Sequence, residues 1–286
     1  MNILLIGGSR FIGPHIIDGL LEHGHNITVF NQGNLQKKYP RGVNYICGDR
    51  NEGLSIGGKF DVVIDTCAYN GDHTKRVITE LKFDFLVHVS TAGVYLKTGV
   101  YPYTENDQIG GLEVMGEYAK GKTESENVLL ESGINYSSLR PVYILGPKNH
   151  NDRENFIYSH LIYKYPILIP GKGQSIIQFV FVEEVSKSII LLAEGKHAGI
   201  FNCGGNQTVT LTGLVEQMAA VVGVRPIIRY NEKADGENYI RTEFPFPNEN
   251  FFVSNEKIKS LGVAFISLLK GLKRDYNDYY KDNIKR

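Results

Sequence analysis

Asn2-Ile3-Leu4-Leu5-Ile6-Gly7-Gly8-Ser9-Arg10-Phe11-Ile12-Gly13 opens the chain and decides how the rest is read. Asn2–Ile6 is a short unbroken apolar run with β-branched residues, the pattern of a strand buried on both faces of a parallel sheet. It runs straight into a glycine-rich turn. A helical stripe follows, with Ile12, Ile16, Ile17, Leu20 and Leu21 on one face. Glu22-His23-Gly24 stops that helix, and residues 26–30 read as a second strand.

Strand, glycine turn, helix and strand within about 30 residues is the context of a dinucleotide-binding βαβ unit. Gly7 permits the tight turn, and Gly13 lets the helix pack closely on the sheet. The free amides of the helix N-terminus then face an anion, here a pyrophosphate. Gly8, Ser9, Phe11 and Ile12 complete this phosphate-binding turn. Arg10 stands where the pattern has its middle glycine. Its side chain crowds the meeting of backbone and phosphate, while its charge offers a hold on that phosphate or on a 2′-phosphate.

The whole chain sets bounds on this reading. It has 286 residues, with 31 basic and 31 acidic side chains and a formal net charge of zero. Bulk charge therefore argues against a nucleic-acid or membrane-surface role. Apolar content of 42% and charged content of 22% are ordinary for a globular protein. No apolar run approaches a membrane span, and the N-terminal run is consumed by the first strand rather than by a secretory signal. Cys47, Cys67 and Cys203 are too few for a disulfide framework and read as small hydrophobes in a reducing compartment. The expectation is a cytoplasmic protein.

Strands and helices then alternate. Asn31 follows the second strand, where an acid would grip the adenosine ribose of NAD. Asparagine still bonds a hydroxyl but does not repel a 2′-phosphate, so NAD and NADP both stay open. Residues 43–47 form a third strand, followed by Asp49, a partner for the adenine amino group or a helix cap. Residues 60–65 form a fourth strand. It leads to Cys67 and Ala68, small enough for a cofactor to lie close. A helix over 72–82 and a fifth strand over 84–90 follow, with His88 read as a core histidine. This is an α/β, Rossmann-type, doubly wound parallel sheet. The candidate residues fall at the carboxyl ends of its strands, where such sheets bind ligands.

Tyr118 and Lys122 lie four apart on a helix that opens near Gly116, so they share one face. A lysine ammonium near a phenol lowers its pKa and makes a usable acid or base. Thr91 would hold the substrate oxygen beside them. The bland alternative is an ordinary surface pair. Later elements are a sixth strand over 135–140, a helix over 156–165, a strand over 175–182, helices over 183–194 and 211–222, and a strand over 200–203. Residues 231–250 are polar and interrupted by Pro245 and Pro247, a substrate-lobe loop or a lid. A short helix over 257–261 and a last one over 266–280 close the chain. The expected organisation is a dinucleotide-binding core over 1–150, taking in parts of 175–203. A smaller substrate-binding lobe is expected mainly over 151–286.

Four stretches in order carry a family resemblance: Gly7-Gly8-Ser9-Arg10-Phe11-Ile12-Gly13, Val87-His88-Val89-Ser90-Thr91-Ala92-Gly93-Val94-Tyr95, Tyr118-Ala119-Lys120-Gly121-Lys122 and Arg140-Pro141-Val142-Tyr143-Ile144-Leu145-Gly146-Pro147. The chain resembles the extended short-chain dehydrogenase/reductases, within them the NAD-dependent epimerase/dehydratase family in its Gly-Gly-Thr-Arg-Phe branch. The resemblance implies Tyr118 as catalytic acid/base, Lys122 on the nicotinamide ribose, Thr91 as the accompanying hydroxyl and Pro141 near the nicotinamide. It implies hydride transfer at a secondary alcohol or ketone carbon of a small molecule, with a nucleotide sugar among the candidates. It also implies a homodimer paired through the helix of Tyr118. Three departures stand out: Arg10 for glycine, Asn31 for the acid, and Ile177 and Phe181 where sugar-nucleotide epimerases often carry arginine and histidine. The same branch resembles stem-loop RNA-binding proteins, so a non-catalytic dinucleotide- or RNA-binding protein is the alternative.

Overall fold

A computed structural model describes residues 1–35, 38–110, 116–234 and 238–284. The N-terminal elements are β1 (Asn2–Ile6), α1 (Ile12–Glu22), β2 (Asn26–Asn31), β3 (Val43–Cys47), β4 (Lys59–Asp65), α2 (Gly71–Glu80) and β5 (Lys82–Val89). Then come α3 (Gly116–Ser132), β6 (Tyr136–Pro141), β7 (Tyr143–Leu145), α4 (Arg153–Tyr163), β8 (Ile167–Pro170), β9 (Ile176–Phe181) and α5 (Val182–Gly195). The last part holds β10 (Gly199–Cys203), β11 (Thr208–Thr210), α6 (Leu211–Val222), β12 (Ile228–Asn231), α7 (Glu256–Ser260) and α8 (Leu268–Asp275).

Seven strands form one sheet in the order β10-β6-β5-β4-β1-β2-β3, with every neighbouring pair parallel. The winding reverses between β1 and β4, and a ligand crevice opens at the carboxyl ends of strands flanking such a reversal. The strand cores are apolar on both faces because helices cover both. Ile3, Leu5, Val29, Val62 and Ile64 belong to one buried cluster. Leu4, Ile6, Phe30, Val63 and Leu86 belong to the other. His88 sits in β5 at 1% exposure, a core histidine as its apolar surroundings imply.

Two small sheets build the rest: β11-β9-β7, and β12 paired with β8. The strands β7, β8, β11 and β12, of three or four residues each, were not read from the sequence. The helix expected over 266–280 is α8 followed by a wider turn over Tyr276–Tyr280. The polar stretch over 231–250 contains Phe244 and Phe246, each 1% exposed, so part of it is core. Its residues 235–237 lie outside the described residues. No helix among the described residues is long and apolar enough to cross a membrane.

Candidate active site

The glycine turn lies at the winding reversal, at the carboxyl end of β1. Gly7 takes a φ of +101°, a region that side chains strain to enter. A Cβ on Gly13 would stand 2.3 Å from the backbone of Gly8, so only glycine lets α1 start this close to the turn. Phe11 precedes α1 with a φ of 46°, no side chain caps the helix, and its first turn holds no acid. The Gly13 amide bonds the Arg10 carbonyl at 2.9 Å, and no side chain competes with an external anion for this N-terminal pole.

A cleft of about 470 Å³ opens over this pole, inside the range of about 300–1,000 Å³ usual for small-molecule sites. Gly7, Gly8, Ser9, Arg10, Phe11, Ile12, Gly13, Asn31 and Cys67 all line it. Asp49, Ala68, Thr91, Tyr118, Lys122 and Pro141 do not. Asp49 spends its carboxylate on the backbone and side-chain amides of Asn51, at 2.8 and 2.9 Å, which makes it a turn residue. Ala68 is fully buried, and Pro141 ends β6 beside Cys203 of β10.

Asn31 is in the cleft but is not a free ribose ligand. Its Nδ2 donates to the Gly7 carbonyl at 3.1 Å and to the Tyr39 hydroxyl at 2.7 Å. Its Oδ1 accepts from the Gly33 amide at 2.9 Å and the Tyr45 hydroxyl at 3.2 Å. The side chain pins the glycine turn to the ends of β2 and β3. Cys67 is equally bound in: burial pushes its thiol up to about 11, which leaves it protonated and inert.

The floor contains groups that sequence reasoning missed. Arg50 donates both terminal nitrogens to Asp65 at 2.9 Å, a bidentate buried pair, and reaches the carbonyl of His73 at 2.9 Å. Burial works against the Asp65 carboxylate, but the Arg50 charge outweighs it and holds the pKa down at about 2. Arg50, Asn51, Tyr69, His73 and His150 all line the cleft. The one signal for Arg50 was its place beyond the carboxyl end of β3, beside Asp49.

Tyr118 lies in the first turn of α3 and Lys122 one turn later. The Lys122 ammonium is 5.9 Å from the Tyr118 ring centre and 5.7 Å from that of Tyr69. The two tyrosine rings are 6.3 Å apart, which joins Tyr118 to the cleft wall. Lys122 is 1% exposed, and its Nζ donates to the Val89 carbonyl at 2.6 Å. Val89 ends β5 two residues before Thr91, which accepts from the Gly93 amide at 3.1 Å and starts a short helical turn. Lys122 thus links the helix of Tyr118 to the strand end that carries Thr91.

One expectation fails in this arrangement. Lys122 does not depress the Tyr118 pKa. The wall beside the ring withholds water from a phenolate, Tyr69 adds to the effect, and the pKa stands at about 12 although Arg153 pulls it back. The reason is geometric: the ammonium is turned toward Val89. Burial also lowers the pKa of Lys122 itself to about 8, against the pull of Asp65. Tyr118 therefore rests as a protonated acid.

A cationic group acts on the phenol through its charge. Arg153, at the start of α4, lies 4.8 Å from the Tyr143 ring and 5.5 Å from the Phe246 ring. Its Nε is buried with no hydrogen-bond partner, and no carboxylate among the described residues pairs with its guanidinium. Arg241 donates to Asn151 Oδ1 at 2.8 Å, two residues before Arg153. The positive charges of Arg153, Arg10 and Arg241 all bear on His150, which burial and they together keep unprotonated more readily than usual.

Residues 64–204 match the NAD dependent epimerase/dehydratase family. A chloroplast stem-loop binding protein of 41 kDa from Arabidopsis thaliana is 32% identical over 96% of this chain and 78% of its own length. The chain belongs to the NAD-dependent epimerase/dehydratase family. A second relative of this epimerase/dehydratase chain is a putative UDP-glucose 4-epimerase from Methanocaldococcus jannaschii, 27% identical over 98% of this chain and 99% of the relative. A UDP-glucuronic acid 4-epimerase from Bacillus cereus, solved in complex with NAD, shares the fold across the full length of both chains, with a TM-score of 0.78 at 18% identity.

Proposed function

We propose that this epimerase/dehydratase family member is an NAD-dependent enzyme acting at a secondary alcohol or ketone carbon of a nucleotide sugar. The carrying observation is the Tyr118–Lys122 pair, joined through Tyr69 to a cleft built over an uncapped helix pole. The cleft fits a dinucleotide: no side chain caps the start of α1, and Gly13 lets that helix end pack directly on the glycine turn. Gly7 to Gly13 would hold the pyrophosphate, and Tyr118 with Lys122 the nicotinamide end. NAD would supply hydride exchange with the substrate carbon. Tyr118 would move the hydroxyl proton, Lys122 would hold the ribose, and Thr91 would keep the substrate oxygen beside the phenol.

The substrate class rests on Arg153 and Arg241. Ile177 is fully buried in β9 and Phe181 is 2% exposed, so the positions where related epimerases often carry arginine and histidine hold no polar group here. The guanidinium of Arg153, over two aromatic rings and with no carboxylate partner among the described residues, would supply a replacement contact for a diphosphate. The relatives named for UDP-sugars support this choice. In this reading residues 1–150 bind the dinucleotide and 151–286 mainly bind the sugar nucleotide. Two chains would pair through α3, where Leu130 is 74% exposed.

The experiment is to incubate the chain with NAD and a panel of UDP- and dTDP-sugars and to follow product stereochemistry by NMR. Turnover of one sugar, abolished in Tyr118→Phe, supports the reading. Tight NAD retention with no turnover across the panel removes it. The Arabidopsis relative's name favours a second reading, RNA binding. A gel shift with stem-loop RNA whose affinity falls steeply with salt would carry that one.

A further inference from the structure

The edge of the sheet opposite the cleft carries a second cluster of chemistry-bearing side chains. His23 caps the C-terminus of α1, His25 immediately precedes β2, and Glu194 stands near the end of α5. His23 Nδ1 and His25 Nε2 both lie 2.7 Å from Glu194 Oε1. The three potential ligand atoms all lie within 4.8 Å of one another. The His23 side chain is 52% exposed and that of His25 11%, so the group is reached from solution on one side and walled on the other.

The framework behind these residues is fixed without them. The backbone amides of His23 and His25 bond to the carbonyls of Gly19 and Leu20 at 3.1 and 3.0 Å. α1 meets α5 closely enough that a Cβ on Gly19 would stand 2.6 Å from Ile190. The cluster is separated from the cleft by the length of β1 and β2, about 15–20 Å at 3.3 Å per residue.

We propose that His23, His25 and Glu194 form a binding site for a divalent transition-metal ion of the zinc class. Two imidazole nitrogens and one carboxylate oxygen suit Zn²⁺, Co²⁺ or Ni²⁺ and not the all-oxygen preference of Mg²⁺ or Ca²⁺. Ligand atoms held 2.0–2.1 Å from a tetrahedral ion stand roughly 3.3 Å apart, so the two 2.7 Å contacts need to open by about half an ångström. The exposed side leaves room for water in the fourth position.

The proton balance is simple and no electron moves. In the metal-free state one nitrogen of each imidazole lies within hydrogen-bond distance of the shared carboxylate oxygen. His25 Nδ1 lies 3.2 Å from the Met1 nitrogen. On metal entry each neutral imidazole binds through the nitrogen that faces Glu194 and carries its proton on its other nitrogen, in keeping with metal sites that require an unprotonated ligand nitrogen. The bound ion ties the end of α1 and the start of β2 to α5.

The test uses tag-free protein titrated with ZnCl₂ by calorimetry, with Co²⁺ absorption as a second readout. The expected result is one ion per chain, a rise in Tm with Zn²⁺, and a Co²⁺ spectrum of four- or five-coordinate N/O ligation. His23→Ala, His25→Ala and Glu194→Gln should each weaken binding at least tenfold, whereas His15→Ala should bind as the parent chain does. His23 is exposed, so its variant keeps the fold even where the other two disturb it. Cys47 is an exposed thiol and a competing zinc ligand. Equal zinc binding by the parent and by His23→Ala, or a Co²⁺ spectrum unchanged from the aquo ion, overturns the proposal.

Discussion

The ammonium of Lys122 donates to the carbonyl oxygen of Val89 at 2.6 Å, and does so inside the protein. The contact ties α3 to the end of β5, so the lysine is a structural brace and a charge at once. Lys122→Met keeps the length of the stem and removes the charge. It leaves the Val89 carbonyl buried and unmatched, a cost of about 1–3 kcal/mol. Denaturant unfolding should show that loss. NAD affinity should fall in the same variant, and equilibrium dialysis would read it.

Tyr118→Phe deletes one hydroxyl from a ring that is 45% exposed, so stability should change little. Turnover should fall about 10²–10⁴-fold, the usual weight of a general acid or base. Steady-state kinetics on the responsive sugar nucleotide would show the loss in kcat. Arg153→Met should act the other way, raising KM for the sugar nucleotide while NAD binding stays unchanged. Equal effects of both changes on NAD affinity would place Arg153 on the cofactor instead.

Asp65→Asn should be among the most damaging single changes near the cleft. It strands the Arg50 guanidinium, which is bidentate to Asp65 and buried. Breaking one partner of a buried pair costs about 3–5 kcal/mol. The urea midpoint of the variant measures it.

His88 gives a pH signature. Burial, with Lys122 nearby, lowers its pKa to about 4, and neither ring nitrogen finds a partner. The unfolded chain protonates this histidine near pH 6.5, before the folded chain does. The unfolded state therefore binds more protons between those values, and stability falls as the pH drops from about 6.5 to 4. Urea midpoints at pH 7, 6 and 5 should fall more steeply in the parent chain than in His88→Met.

Gly13→Ala places a Cβ 2.3 Å from the Gly8 backbone. Overpacking of this kind costs about 1–3 kcal/mol. The larger effect should be lost dinucleotide binding, seen as a missing thermal shift on adding NAD.

How much of this was legible in the sequence depends on the kind of signal. The parallel sheet was, because β1, β2, β4 and β5 are apolar runs of ordinary length with glycine turns between them. The glycine turn was, because Gly7 and Gly13 answer backbone demands that no other residue meets. β7 and β12 were not, since three or four residues carry no readable period. Asp49 reads as a ligand because a carboxylate after a strand can accept from an adenine amino group, while the role of Arg50 is defined only by Asp65, fifteen residues away. Arg153 and Arg241 stand on separate segments, so the convergence of their charges on His150 is a tertiary fact. The raised acidity constant expected of Lys122 on Tyr118 failed for the same reason: helical spacing fixes the face, and Val89 decides where the ammonium turns.

The uncapped start of α1 has a further consequence for the life of the protein in a cell. A helix start that no side chain caps gains a charged partner when a dinucleotide binds. At a hundredfold excess over its Kd, such a ligand adds about 2.7 kcal/mol to stability. The resistance of this chain to proteolysis should therefore track the supply of its nucleotide, so that starvation for the one shortens the survival of the other.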